Sequence, residues 1–184
     1  MKKIFILLLF FSSFAFADSI SSYKNKIDNV FPLNLKLNGS CSQIENLAPV
    51  FSNNEKSTFK VIGGKDNFLV SCFKHNNKIF KINLYNDSYV EHLGIKRNDS
   101  FEDIFASYKK IFKPYSLNVT EGLEYKLLEI FVNEHIYQII VYNKIKKEIE
   151  FISFINPNSF PEYKYIGKMK EKKNLPPLIS WLFN

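Results

Sequence analysis

Apolar residues recur at three- and four-residue steps over 19–31, where Ile20, Tyr23, Ile27, Val30 and Phe31 mark one face of a helix. Pro32 ends it. Leu33, Leu35 and Leu37 then alternate with Asn34, Lys36 and Asn38, the pattern of a half-buried strand. Asn38-Gly39-Ser40 reads as a turn and helix cap, opening a short helix over 41–51 with Ile44, Leu47, Ala48 and Phe51 on one side. Strands are expected near 58–62, 67–74, 78–85 and 88–93, divided by Gly63-Gly64, His75-Asn76-Asn77 and Asn86-Asp87. Asn98-Asp99-Ser100 caps another helix over 98–113, whose apolar face carries Phe101, Ile104, Tyr108 and Phe112; Pro114 closes it. Strands near 124–132, 135–143 and 148–155 follow.

A helix followed by three strands thus occurs twice. A shift of 60 residues aligns Asn38 with Asn98, Ser40 with Ser100, Ile44 with Ile104, His75 with His135 and Ile79 with Ile139. The expected fold is one α+β domain over 18–159: an antiparallel sheet with two short helices on one face, built from αβββ units at 38–93 and 98–155, plus an N-terminal helix.

The first residues have another purpose. Met1-Lys2-Lys3 precedes the apolar run Ile4 to Phe11, and Ala15-Phe16-Ala17 places small residues where a signal peptidase reads. The run is shorter than the roughly 20 residues a membrane span needs. No cysteine stands near the cleavage point to carry a lipid. Cleavage after Ala17, removing 1–17, and a periplasmic or secreted product without a stable membrane anchor are expected.

An oxidising destination bears on Cys41 and Cys72, the chain's two cysteines. One reading joins them in a disulfide. The other makes Cys41 a nucleophile at a helix start, in a thiol-dependent hydrolase or transferase, with His75, His92 or His135 as its base.

The segment Gly94-Ile-Lys-Arg-Asn-Asp-Ser-Phe-Glu-Asp-Ile104, leading a capped helix into three antiparallel strands, resembles the repeating unit of the β-lactamase-inhibitor-like fold and of small outer-membrane-assembly lipoproteins. The resemblance covers about 38–155. It implies a concave sheet that binds another protein, with a Cys41–Cys72 bridge inside the first unit. The second unit lacks a cysteine pair, and Asn98 stands where the family usually has glycine.

Composition narrows the function classes. The formal charge of +7 falls to +5 without Lys2 and Lys3, and three of those units belong to 160–184, where five lysines face Glu162 and Glu171. Arg97 is the only arginine, which leaves little for nucleic-acid recognition. Abundant Lys, Asn, Ile and Phe match A+T-rich codons. The three histidines have no metal-ligand spacing, there is no phosphate loop, and no cofactor is expected. Glu121, Glu124, Glu129 and Glu134 supply acid–base groups of a kind any exported domain has.

The tail, from Lys168-Met-Lys-Glu-Lys-Lys173 through Pro176-Pro177 to Trp181-Leu-Phe183, is read in two ways. It docks its apolar residues on the core, or it is a basic, aromatic handle for a partner or an anionic membrane surface. The leading expectation is a non-enzymatic inhibitor or immunity factor that binds another envelope or secreted protein through sheet-face aromatics. Its candidates are Tyr125, Tyr137, Phe151, Trp181 and Phe183. An envelope assembly or maturation factor is the alternative.

Overall fold

Eight strands build one antiparallel sheet. The computed structural model describes residues 19–29, 31–63, 66–85 and 93–159. Helix α1 spans 19–29. The strands β1 (Pro49–Ser52), β2 (Lys56–Gly63), β3 (Asp66–Phe73) and β4 (Lys78–Leu84) form a first meander. Helix α2 (Phe101–Ile111) precedes a second meander of β5 (Leu117–Glu121), β6 (Tyr125–Asn133), β7 (Ile136–Asn143) and β8 (Glu148–Ile155). The strand order is β1-β2-β3-β4-β8-β7-β6-β5, so the meanders meet where β4 pairs with β8. The expected α+β class, with an antiparallel sheet and helices on one side, is the observed one.

Both helices bury their apolar stripe on the same face. Tyr23 and Ile27 of α1 and Ile104 and Tyr108 of α2 join Phe68, Val70, Ile82, Leu84, Ile140 and Ile152 in the main core. Ser100 caps α2, its hydroxyl oxygen accepting the Asp103 N–H at 3.1 Å. Glu102 and Asp103 in its first turn and Lys109 and Lys110 in its last complement the helix dipole. Between the helices and the sheet, the Tyr23 hydroxyl donates to Gln138 Oε1 (2.7 Å) and the Gln138 amide donates to Tyr108 (3.0 Å). The Tyr108 hydroxyl then closes a three-member ring on Tyr23 at 2.6 Å. Every buried polar atom of that ring has a partner.

Two expected elements do not form. Residues 33–37 are not a strand. Pro32–Asn34 is a 3₁₀ turn closed by Leu35 N–H on the Pro32 carbonyl at 3.0 Å, with Leu33 and Asn34 at φ 56° and 55°. Leu35 enters the core and half-buried Leu37 packs against it, while Leu33 is 58% exposed. Nor are residues 41–51 a helix. Ile44 N–H bonds back to the Cys41 carbonyl and Leu47 N–H to that of Ile44, successive turns that stop before Pro49 opens β1. Ile44 is buried there, but Leu47 and Phe51 face water, so no helical stripe is satisfied. The strand expected at 88–93 falls on 86–92, outside the described residues, except for Leu93.

The internal repetition has a different register from the 60-residue shift. Asn77 and Lys147 each end a four-residue turn with positive φ, 54° and 56°. A bulge between Ser71 and Cys72 matches one between Val141 and Tyr142. Lys74 N–H bonds to Glu55 O as Lys144 N–H bonds to Glu124 O, both at 2.8 Å. These equivalences lie about 70 residues apart. The helices and their Pro-led 3₁₀ turns at Pro32 and Pro114 are offset by 82 instead. The difference is the stretch 35–48, which the first unit carries between its 3₁₀ turn and first strand and which the second unit lacks.

A candidate docking face on the second side of the sheet

Every residue of β7 is buried, which a sheet with one solvated face does not require. Ile136, Ile140 and Tyr142 turn toward the helices. Tyr137, Ile139 and Val141 turn the other way and join Leu127, Phe151 and Ile155 in a separate cluster whose members are 0–5% exposed. Tyr125 and Phe131 are its half-buried rim. The register sets three cross-strand rows: Phe131, Tyr137 and Ile155; Glu129, Ile139 and Ser153; Leu127, Val141 and Phe151. Neither α1 nor α2 lies over this cluster, since both belong to the opposite core.

The middle row is polar where its neighbours are apolar. Glu129 is 1% exposed; one carboxylate oxygen accepts from the Asn118 amide and, at 3.3 Å, from the Thr120 hydroxyl. The other oxygen has no partner among the described residues. Ser153, fully buried, has an Oγ without a partner among the described residues, as does Oδ1 of Asn83 beside it on β4. Each such buried acceptor costs about 1–3 kcal/mol if it stays unmade. All three share one row, with Asn83 and Ser153 about 5 Å apart and Glu129 about 10 Å beyond on strand spacing. Such a row suits hydrogen-bond donors (an ammonium, a backbone or indole N–H) carried by an otherwise apolar ligand.

Toward β3 and β4 the same face becomes hydrophilic. Thr58 and Ser71 share a hydrogen bond of 2.9 Å, and Lys81 stands opposite both Ser71 and Ile155. Burial pushes the Lys81 ammonium down to about 8, and the charge of Lys56 adds to the effect. The Tyr85 ring lies 5.2 Å from Phe151, and burial raises its hydroxyl pKa above the ordinary value.

Tyr125, Tyr137 and Phe151, three of the aromatics singled out in the sequence, therefore come together on one face. Trp181 and Phe183 lie outside the described residues. Cys41 and Cys72 form a disulfide, with Cα atoms 6.4 Å apart and both residues buried, so Cys41 offers no thiolate and the nucleophile reading is set aside. His75 packs on Phe73, and His135 sits 3.3 Å from Glu134 at the β6–β7 turn. Glu121 pairs with Lys144 at the other end of β6, about 30 Å away on strand length. No group of three His, Cys, Asp or Glu suited to a metal occurs among the described residues. The polar row of Glu129, Ser153 and Asn83 was missed in the sequence. Its one visible signal is a carboxylate set inside the apolar run Leu127-Leu128-Glu129-Ile130-Phe131.

No protein-family model matches the chain. No curated protein matches it. Among solved structures it is similar to a cysteine-rich secretory protein from Staphylococcus aureus subsp. aureus Mu50, at 12% identity and a TM-score of 0.41, covering 69% of this chain and 47% of that one. It is also similar to an extracellular protein containing an SCP domain from Bacillus anthracis str. Ames, at 10% identity and a TM-score of 0.43, covering 77% and 50%. The chain spans about half the length of each.

Proposed function

We propose that this chain is an exported, non-catalytic protein-binding domain of inhibitor or immunity type, and that its docking surface is the apolar half of the second sheet face. The observation that carries the reading is the row of Glu129, Ser153 and Asn83. These are buried acceptors without partners among the described residues, set between two rows of apolar side chains. A hydrophobic core gains nothing from such a row, whereas a recognition surface gains orientation and specificity from it. Aromatic anchors flank it, as they do in energetically dominant interface patches. Export is supported by the signal-peptide pattern of 1–17 and by a buried disulfide, which persists in oxidising compartments.

The partner fitting this surface presents apolar groups around donors, a lysine-bearing or backbone-exposing segment, so that the Glu129 carboxylate receives a proton donor on docking. Immobilised protein incubated with envelope extract tests this. Tyr125→Lys, at the half-buried rim, abolishes retention of the captured protein while Leu33→Lys, on an exposed turn, does not. Equal retention by both variants contradicts the reading.

A further inference from the structure

Two turns at one end of the sheet carry the most exposed large apolar side chains among the described residues. Leu123, between β5 and β6, is 97% exposed, and Ile145, between β7 and β8, is 73% exposed. The turns touch. Lys144 N–H donates to Glu124 O at 2.8 Å, and the Lys144 ammonium donates to Gly122 O at 3.0 Å and to Glu121 at 2.8 Å. Both backbones are also tied down. Gly122 N–H bonds to Tyr125 O at 2.9 Å, and Asn143 Oδ1 accepts from the N–H groups of Ile145 (3.0 Å) and Lys146 (2.9 Å). Two aliphatic side chains are thus presented to solvent from adjacent, ordered turns, where polar residues ordinarily stand.

The duplicated fold supplies its own comparison. At the corresponding corner of the first meander Lys74 N–H bonds to Glu55 O, so His75 stands where the second has Ile145, and Asn54 where it has Leu123. Asn76 and Asn77 likewise replace Lys146 and Lys147. Because β4 and β8 are antiparallel, the two corners lie at opposite ends of the sheet. One turn geometry is therefore built once from polar residues and once from aliphatics with lysines. The fold does not require the apolar pair.

The chemistry of the corner favours lipid over protein. Leucine and lysine are sparse among the residues that dominate protein interfaces, where Trp, Tyr and Arg prevail. Lysine beside aliphatic side chains fits a bilayer boundary, because its methylene stem lies along hydrocarbon while the ammonium reaches phosphate. Lys144, Lys146 and Lys147 stand with Glu121, Glu124 and Glu150, and Lys144 and Lys146 pair with Glu121 and Glu150, so the corner carries no net charge. Mixed charge of this kind complements a headgroup layer of phosphates and ammonium groups, and it leaves apolar area as the driving force.

We propose that this corner rests on a phospholipid bilayer, with Leu123 and Ile145 entering the boundary between headgroups and acyl chains. The contact is peripheral and reversible, since two aliphatic side chains bury far less apolar area than a spanning helix. It requires no protein partner.

The chain from Asp18 to Asn184 carrying Trp181→Phe and Leu123→Trp reports on the tip alone, because Trp181 is the only natural tryptophan. On vesicles of phosphatidylethanolamine and phosphatidylglycerol its emission is expected to shift to the blue and to be quenched by bromine on the acyl chains. Asn54→Trp in the same Trp181→Phe background, at the polar corner, stays water-like. Where circular dichroism shows either variant unfolded, Ile145→Trp and His75→Trp take their places. In the otherwise unsubstituted chain, Leu123→Asp with Ile145→Asp is expected to lower vesicle partitioning by about tenfold or more, in salt that screens surface charge. Water-like emission from position 123 on saturating vesicles overturns the proposal, whether the chain stays in solution or another segment carries it to the bilayer. Equal blue shifts at both corners overturn it, as does unchanged partitioning of the aspartate variant. A blue shift that requires envelope protein in place of vesicles assigns the corner to a protein and overturns it too.

Discussion

Asn77 and Lys147 stand at the same corner of two equivalent hairpins, 70 residues apart, each in left-handed backbone at φ 54° and 56°. Asparagine tolerates that conformation; lysine pays roughly 1 kcal/mol for it through its Cβ. Lys147→Gly is expected to stabilise the domain by about 0.5 kcal/mol after the extra freedom of the unfolded chain is subtracted, and Lys147→Val to destabilise it. Urea midpoints for the two variants check both signs.

The disulfide joins the inserted stretch 35–48 to β3, closing a loop with a sequence separation of 31. Replacing Cys41 and Cys72 together with serine is expected to lower stability by about 3 kcal/mol on the chain-entropy account. A thiol assay on the denatured, unreduced protein should find none. One or two free thiols would contradict the bridge.

The ring of Tyr23, Tyr108 and Gln138 responds to alkali. Burial is the first cause that pushes Tyr108 up to about 12 and Tyr23 well above its ordinary 10. Above pH 10 the unfolded tyrosines lose protons that the folded ones keep, so stability is full below pH 10 and falls as pH rises toward 12. Tyr108 alone accounts for about 3 kcal/mol of that fall. Tyr108→Phe leaves the Gln138 amide without its acceptor and Tyr23 without its donor, and is expected to cost about 1–3 kcal/mol at neutral pH. Equilibrium unfolding across this pH range measures both.

Lys81 has the opposite dependence. Its folded pKa of about 8 lies below the ordinary 10.5, so the unfolded chain binds a proton between those values that the folded chain does not. Stability therefore rises with pH across that window, by about 3 kcal/mol for this group. Lys81→Met removes the rise and is expected to stabilise the protein at pH 7. A flat wild-type profile from pH 8 to 10 would contradict this.

Strands with one strict alternation were legible before any coordinates: β8 spans the residues its pattern marks, and β6 and β7 shift by a residue. α2 announces itself through Ser100 and a full apolar stripe. The edge strands β1 and β5 were invisible, because a strand whose side chains mostly face water needs no alternation. The stretch 41–51 misled because Ile44, Leu47, Ala48 and Phe51 imitate a helical stripe. The disulfide and Pro49 hold it in turns instead. The expected units of a helix and three strands at 38–93 and 98–155 took 41–51 as the first helix, whereas each observed meander has four strands and follows a helix at 19–29 or 101–111. On the docking face, alternation identified Tyr125, Tyr137 and Phe151 without telling which side of the sheet the helices take. Glu129, Ser153 and Asn83 meet only through the pairing of β6, β7, β8 and β4, which no local pattern encodes.

The docking face can be interrogated in place by Phe131→p-benzoylphenylalanine, with Leu33→p-benzoylphenylalanine on the exposed turn as the control, followed by irradiation of intact cells. The account predicts one discrete intermolecular product from position 131, absent from position 33 and lost when Tyr125→Lys is added. The same products from both positions, or only links within the chain from position 131, would contradict a partner-binding role for this face.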